Sequence, residues 1–80
     1  MYNVGGIIRF KGASTMKQLQ REDRVKCGWA GYMEYLCGQT RKLTEDNVEK
    51  INNGSDVIWE ECRFDNTPLY ISVDMIELVN

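Results

Sequence analysis

The sequence predicts a mainly β fold with one or two short helices, gathered into a small barrel, and three observations carry that expectation. The stretch Ala30-Gly31-Tyr32-Met33-Glu34-Tyr35-Leu36-Cys37-Gly38-Gln39-Thr40 crowds Tyr32, Met33, Tyr35 and Leu36 together and then meets a glycine. It reads as one helical turn pressed on a core, stopped at Gly38 and passed straight into a strand. Residues 57–64 and 69–73 are apolar-rich, β-prone runs flanking Asp65-Asn66-Thr67-Pro68, the pattern of two strands and a tight loop. Near the start, Ile8 and Phe10 alternate with Ile7, Arg9 and Lys11, which is the two-residue period of a half-buried strand.

Eighty residues make a single domain, residues 1–80, with apolar residues at 42% and charged residues at 28%. That balance belongs to a globular chain rather than a disordered or membrane-embedded one. No apolar run approaches the roughly 20 residues of a membrane span. The opening Met1-Tyr2-Asn3-Val4-Gly5-Gly6 lacks the basic and apolar regions of a secretory signal, so a cytoplasmic location is expected. Cys27, Cys37 and Cys62 are odd in number, contain no CxxC pair and have no histidine to complement them. Three free thiols of a reducing compartment are expected, with a Cys27–Cys37 disulfide as the rival reading.

Charge is unevenly spread. Residues 1–42 hold eight Lys/Arg against three Asp/Glu, so +5, and residues 43–80 hold two against nine, so −7. Such polarity can mark a nucleic-acid face, but strands from the two halves of a small barrel lie side by side, and pairing between the halves is the expectation.

Taken in order, Gly5-Gly6 supplies a turn or bulge before the first strand rather than a phosphate cradle, since no helix follows it directly. Gly12 closes that strand. Ser14 or Thr15 is placed to cap a short helix, with Gln18 in capping-box position behind Thr15 and Met16 and Leu19 as its apolar stripe. Arg21-Glu22-Asp23-Arg24 reads as a solvated loop, and residues 25–29 as a short extended piece in which Gly28 and Gly31 bracket Trp29. After the central turn, residues 39–43 form a second strand. Residues 44–51 admit two readings: a short helix capped by Asp46 and containing Val48 and Ile51, or a strand with a bulge in which Val48 and Ile51 are strand positions. Asn52-Asn53-Gly54-Ser55-Asp56 is a turn. Pro68 stands at the start of its strand, where a missing N–H does little harm. Asp74 then caps a final turn that returns Met75, Ile76, Leu78 and Val79 to the core.

With those pieces in order, the chain resembles small SH3-like proteins encoded by bacteriophages and prophages. Val4-Gly5-Gly6-Ile7-Ile8-Arg9 matches the opening strand of that family. Met33-Glu34-Tyr35-Leu36-Cys37-Gly38-Gln39-Thr40 matches its central joint, Trp59-Glu60-Glu61 a middle strand, and Val73-Asp74-Met75-Ile76-Glu77 the close. The resemblance spans nearly the whole chain. Gly6 departs from it where the family has Asp, and a Trp common before the closing turn is replaced around residues 69–71. The resemblance implies an SH3-like barrel and a mobile-element origin, with no established biochemical activity.

Chemistry is sparse. Without histidine, and with no lysine in an apolar neighbourhood, there is no nucleophile-and-base arrangement. Glu60 and Glu61 are neighbours on a strand and point to opposite faces, so with Asp65 they read as solvated hairpin charge. Asn52, Gly54 and Asp56 form a fragment of a calcium loop whose twelfth position is Arg63 instead of Glu. A non-enzyme without metal or cofactor is therefore expected.

The rings Trp29, Tyr32, Tyr35, Trp59, Phe64 and Tyr70 are, each taken singly, assigned to the core. SH3-like folds nevertheless expose aromatic grooves for extended peptides, and Trp29, with Tyr32 beside it and Tyr70, is the candidate anchor. The leading expectation is a protein-binding module that engages or inhibits a host protein. Two alternatives stand beside it. One is nucleic-acid binding through the basic half (Arg9, Lys11, Lys17, Arg21, Arg24 and Lys26), with Trp29 available for stacking on a base, against which stands a pI of about 5.0. The other is a structural or assembly component of a phage.

Overall fold

The computed structural model describes residues 2–22 and 31–79, with the side chain of Tyr32 outside that set. Arg24, Lys26, Cys27 and Trp29 lie outside the described residues. Among the described residues, five strands fall into two sheets, with two short α-helices and two 3-10 turns between them. Strand β1 (Ile7–Phe10) is the middle of a three-stranded antiparallel sheet, flanked by β2 (Thr40–Lys42) and β5 (Ile76–Leu78). Strands β3 (Val57–Glu61) and β4 (Pro68–Ile71) form a separate antiparallel hairpin with a bulge between Ile58 and Glu61. Among the described residues no backbone ladder joins β2 to β3.

The alternation in β1 places Ile8 and Phe10 inward, at 0% and 1% exposure, and leaves Arg9 outside. Gly5 turns into that strand at φ +88°, a left-handed conformation that costs glycine little. The central stretch forms a 3-10 turn over Gly31–Leu36 that buries Met33 and Leu36. Gly38 follows at φ +80°, and its N–H donates to Phe10 O at 3.0 Å. Phe10 N in turn donates to Gln39 O at 2.9 Å, so the turn is tied into the β1–β2 pairing.

Helix α1 (Ala13–Arg21) buries the predicted stripe, Met16 and Leu19, but begins two to three residues earlier than a Ser14 or Thr15 cap would allow. Gly12 is the N-cap and no side chain caps it; its carbonyl accepts from Met16 N at 3.0 Å. The chain must turn immediately off β1, where Lys11 N is held by Met75 O at 3.0 Å, and that tertiary tie sets the start of the helix.

Residues 44–51 are helical: α2 spans Glu45–Asn52 and is capped by Thr44, not Asp46. Thr44 Oγ1 accepts from Asn47 N at 3.2 Å while Asn47 Oδ1 accepts from Thr44 N at 3.0 Å. This is a reciprocal capping box with Asn in the third position, and it satisfies two donors that a helix start leaves unpaired. Val48 and Ile51 pack from α2 against the core.

The last segment departs from expectation. A 3-10 turn over Val73–Met75 follows Ser72, with Asp74 inside the turn rather than before it. Met75 and Ile76 are buried, whereas Leu78 and Val79 are each 40% exposed. The sheet explains the split: Ile76 lies opposite Phe10, deep in the sheet, but β5 is an outer strand with no paired neighbour on its far side among the described residues. One core results, to which both sheets, α1 and the 3-10 turns contribute. No described helix is long and apolar enough to cross a membrane.

Candidate functional site

Where β2 and β3 fail to pair, side chains join them instead. In an antiparallel pair, facing residues point to the same side, so Arg41, opposite buried Ile8, projects from β2 toward the core side of its sheet. Its guanidinium lies over the Phe10 ring, 5.6 Å from the centroid. From there Arg41 Nε donates to Glu60 Oε1 of β3 at 3.1 Å, and Arg41 Nη2 donates to the same oxygen. Tyr35, on the 3-10 turn, donates its hydroxyl to Glu60 Oε2 at 3.1 Å. Glu60 is thus the shared acceptor of two elements and not the solvated hairpin charge its sequence position suggests. Only 30% of its side chain is exposed. Beneath this network Trp59 meets Phe10 edge to face, centroids 5.8 Å apart, while its buried Nε1 has no hydrogen-bond partner among the described residues.

The network continues outward. Arg63 sits over the other side of the cluster, its Cζ 4.4 Å from the Tyr35 centroid and 5.1 Å from that of Phe64. Phe64 was expected at the end of a strand and in the core; β3 in fact stops at Glu61, and Phe64 is 65% exposed. The loop that carries it is pinned from within. Asp65 Oδ1 accepts from Thr67 N at 3.1 Å and from Thr67 Oγ1 at 2.8 Å, and Cys62 N donates to Thr67 O at 2.7 Å. Asn66 takes φ 60°, a conformation Asn tolerates better than most residues. The hydrogen bonds from Thr67 also hold the Asp65 carboxyl below its ordinary range.

Burial pushes the Tyr35 phenol above its usual value, and the hydrogen bond and charge of Glu60 push the same way, with the Arg63 charge opposing them. A raised folded-state value means stability that is present below the unfolded phenol's pKa, about 10, and lost as pH rises through the folded value. Tyr35→Phe is therefore expected to flatten the fall in melting temperature as pH rises above about 10. Burial, then Glu34, raises the Cys37 thiol and gives an alkaline loss of the same sign, so the informative quantity is the difference between wild type and variant. Identical alkaline slopes for the two proteins would rule the Tyr35 contribution out.

The sequence-predicted residues are placed as follows. Arg9 bonds Glu77 at 2.9 Å across the β1–β5 pair, which spends one cation of the basic half on a carboxylate of the acidic half. Lys11 is half-buried just past the end of β1. Tyr70 stands opposite Ile58 on the outward side of the β3–β4 hairpin, 43% exposed. Trp29, Arg24 and Lys26 lie outside the described residues, as does the Tyr32 side chain. Cys37 and Cys62 are free thiols, half-buried and buried. Arg41, Glu60, Arg63 and the outward position of Phe64 escaped sequence reasoning. A signal existed for Phe64, which abuts Asp65-Asn66-Thr67-Pro68, a run rich enough in turn formers to end the strand three residues early.

A second feature lies elsewhere, a cleft of about 170 Å³ between the end of α2 and the Val73–Met75 turn, lined by Ile51, Gly54, Asp56, Ser72 and Asp74 among others. No three His, Cys, Asp or Glu side chains gather to hold a metal ion among the described residues. Comparison with protein-family models, with curated proteins and with solved structures finds no match.

Proposed function

We propose that the chain is a non-enzymatic protein-binding module, an SH3-like domain of phage or prophage origin that engages a host protein. One observation carries the reading: Phe64, 65% exposed, is displayed on a loop braced by its own hydrogen bonds and against Arg63 and Tyr35. Exposed aromatic side chains with an adjacent Arg are the usual anchors of interfaces. Support for the SH3-like part is the motif order in the sequence, together with five short strands in two sheets over one core. The commitment of Arg9 to Glu77 weighs against a phosphate-binding basic face.

The test is affinity capture from bacterial lysate with tagged wild type and with Phe64→Ala, each with and without nuclease. The expected result is one protein recovered in stoichiometric amount by the wild type, insensitive to nuclease and lost with the variant. Because Phe64 is exposed, the variant's melting temperature should lie within a few degrees of wild type. Recovery that depends on nucleic acid would replace this reading with the small-barrel nucleic-acid one.

A further inference from the structure

We propose that Arg63 is the receptor for an acidic side chain on the partner, so that the module recognises a peptide in which Asp or Glu stands beside an apolar residue. The inference rests on the protein-binding reading and names the chemistry of what is bound.

Three observations lead to it. Arg63 is exposed and contacts two rings, yet it forms no hydrogen bond or ion pair among the described residues. Cation–π contact engages the charge of a guanidinium and leaves its N–H donors unused, five in a planar fork that matches a carboxylate. Of the three carboxylates within a few residues of Arg63 (Glu60, Glu61 and Asp65), two are committed elsewhere. Glu60 gives one oxygen to Arg41 and the other to Tyr35, and Asp65 is folded back onto Thr67. Finally, the Tyr35 and Phe64 rings restrain a long side chain whose rotamer freedom would otherwise oppose binding, so less entropy remains to be lost when a partner docks.

The geometry favours a lone carboxylate over a phosphate chain. A nucleic-acid backbone needs several cations in a row. Here Arg41 is spent on Glu60, and Glu60, Glu61 and Asp65 all stand within a few residues of Arg63, which repels a polyanion. A single acidic side chain, with an apolar neighbour resting on Phe64, uses what the surface offers. Bidentate pairing of that kind also requires Arg and not merely a positive charge.

The experiment is selection of a random short-peptide display library on the full chain at about 150 mM salt, followed by anisotropy titration of the synthesised consensus peptide. The expected consensus contains Asp or Glu next to an apolar residue. Arg63→Ala should weaken its binding about tenfold or more, and Arg63→Lys should recover only part of the loss. The peptide with Gln in place of Glu should bind wild type as weakly as the acidic peptide binds Arg63→Ala, and lose nothing further on that variant. Both variants should melt as wild type does, since the site is exposed. A consensus without an acid, or equal binding to wild type and Arg63→Ala, overturns this inference and leaves the module reading standing. Absence of any selected peptide overturns both. Binding of oligothymidylate that Arg63→Ala abolishes, with no selected acidic peptide, assigns Arg63 to phosphate instead and overturns the proposal.

Discussion

Replacing Phe10 by alanine should cost about 3–5 kcal/mol and lower the melting temperature by more than about 12 °C. Phe10 is 1% exposed, lies opposite Ile76 in the three-stranded sheet, meets Trp59 of the hairpin edge to face and carries the Arg41 guanidinium over its ring. It is therefore an apolar contact across the gap between β2 and β3 that no backbone ladder closes among the described residues. The side chain removed is large, and its surroundings come from two sheets that the backbone does not tie together, so the cavity cannot collapse on one rigid element. A small domain holds about 5 kcal/mol in total, so a loss of that size would remove most of its stability. Urea unfolding followed by circular dichroism measures the effect. A loss below about 1 kcal/mol would mean that Trp59 and Phe10 do not share a packed interface.

The second large effect is expected at Glu60. Glu60→Ala takes the acceptor from Arg41 and from the Tyr35 hydroxyl together, and should cost about 1–2 kcal/mol. The figure is held below that of a fully buried pair because the Arg41 and Glu60 side chains remain 28% and 30% exposed. A double-mutant cycle with Arg41→Ala should return a coupling near 1 kcal/mol. The same cycle on Arg9 and Glu77, whose side chains are 48% and 46% exposed, should return a few tenths at most. Equal couplings at the two pairs would show that the Arg41–Glu60 contact is an ordinary surface pair and that apolar packing alone holds β2 beside β3.

These two effects bear on the proposed surface. Tyr35 is oriented by Glu60, and Arg63 lies against Tyr35, so loss of the Glu60 carboxylate should weaken peptide binding as well as stability, without any contact between Glu60 and the peptide. The binding surface is thus mounted on the same network that joins the sheets. Phe64, held by the separate hydrogen bonds of the Asp65–Thr67 turn, is the part that Glu60 does not govern.

What the sequence determined by itself is local. The two-residue alternation around Ile8 and Phe10, the turn that buries Met33 and Leu36 and breaks at Gly38, and the hairpin with Pro68 at the head of its second strand all follow from residues within one or two turns of each other. Periodicity and glycine or proline chemistry act at that range, and they are legible without any partner strand. The helix at 44–51 was nearly legible; its cap was misplaced by two residues because Thr44 finds a reciprocal partner in Asn47, an uncommon third residue for a capping box. Only the tertiary structure decided the rest. Arg41 reaches Glu60 across 19 residues, Tyr35 reaches Glu60 across 25, and Arg9 reaches Glu77 across 68. No spacing rule connects residues so far apart, and the charge pattern of the two halves showed only that such pairs were available. The same holds for the rings. Phe10 and Phe64 are one residue type, and which is buried was settled by where the strands end and what lies across from them.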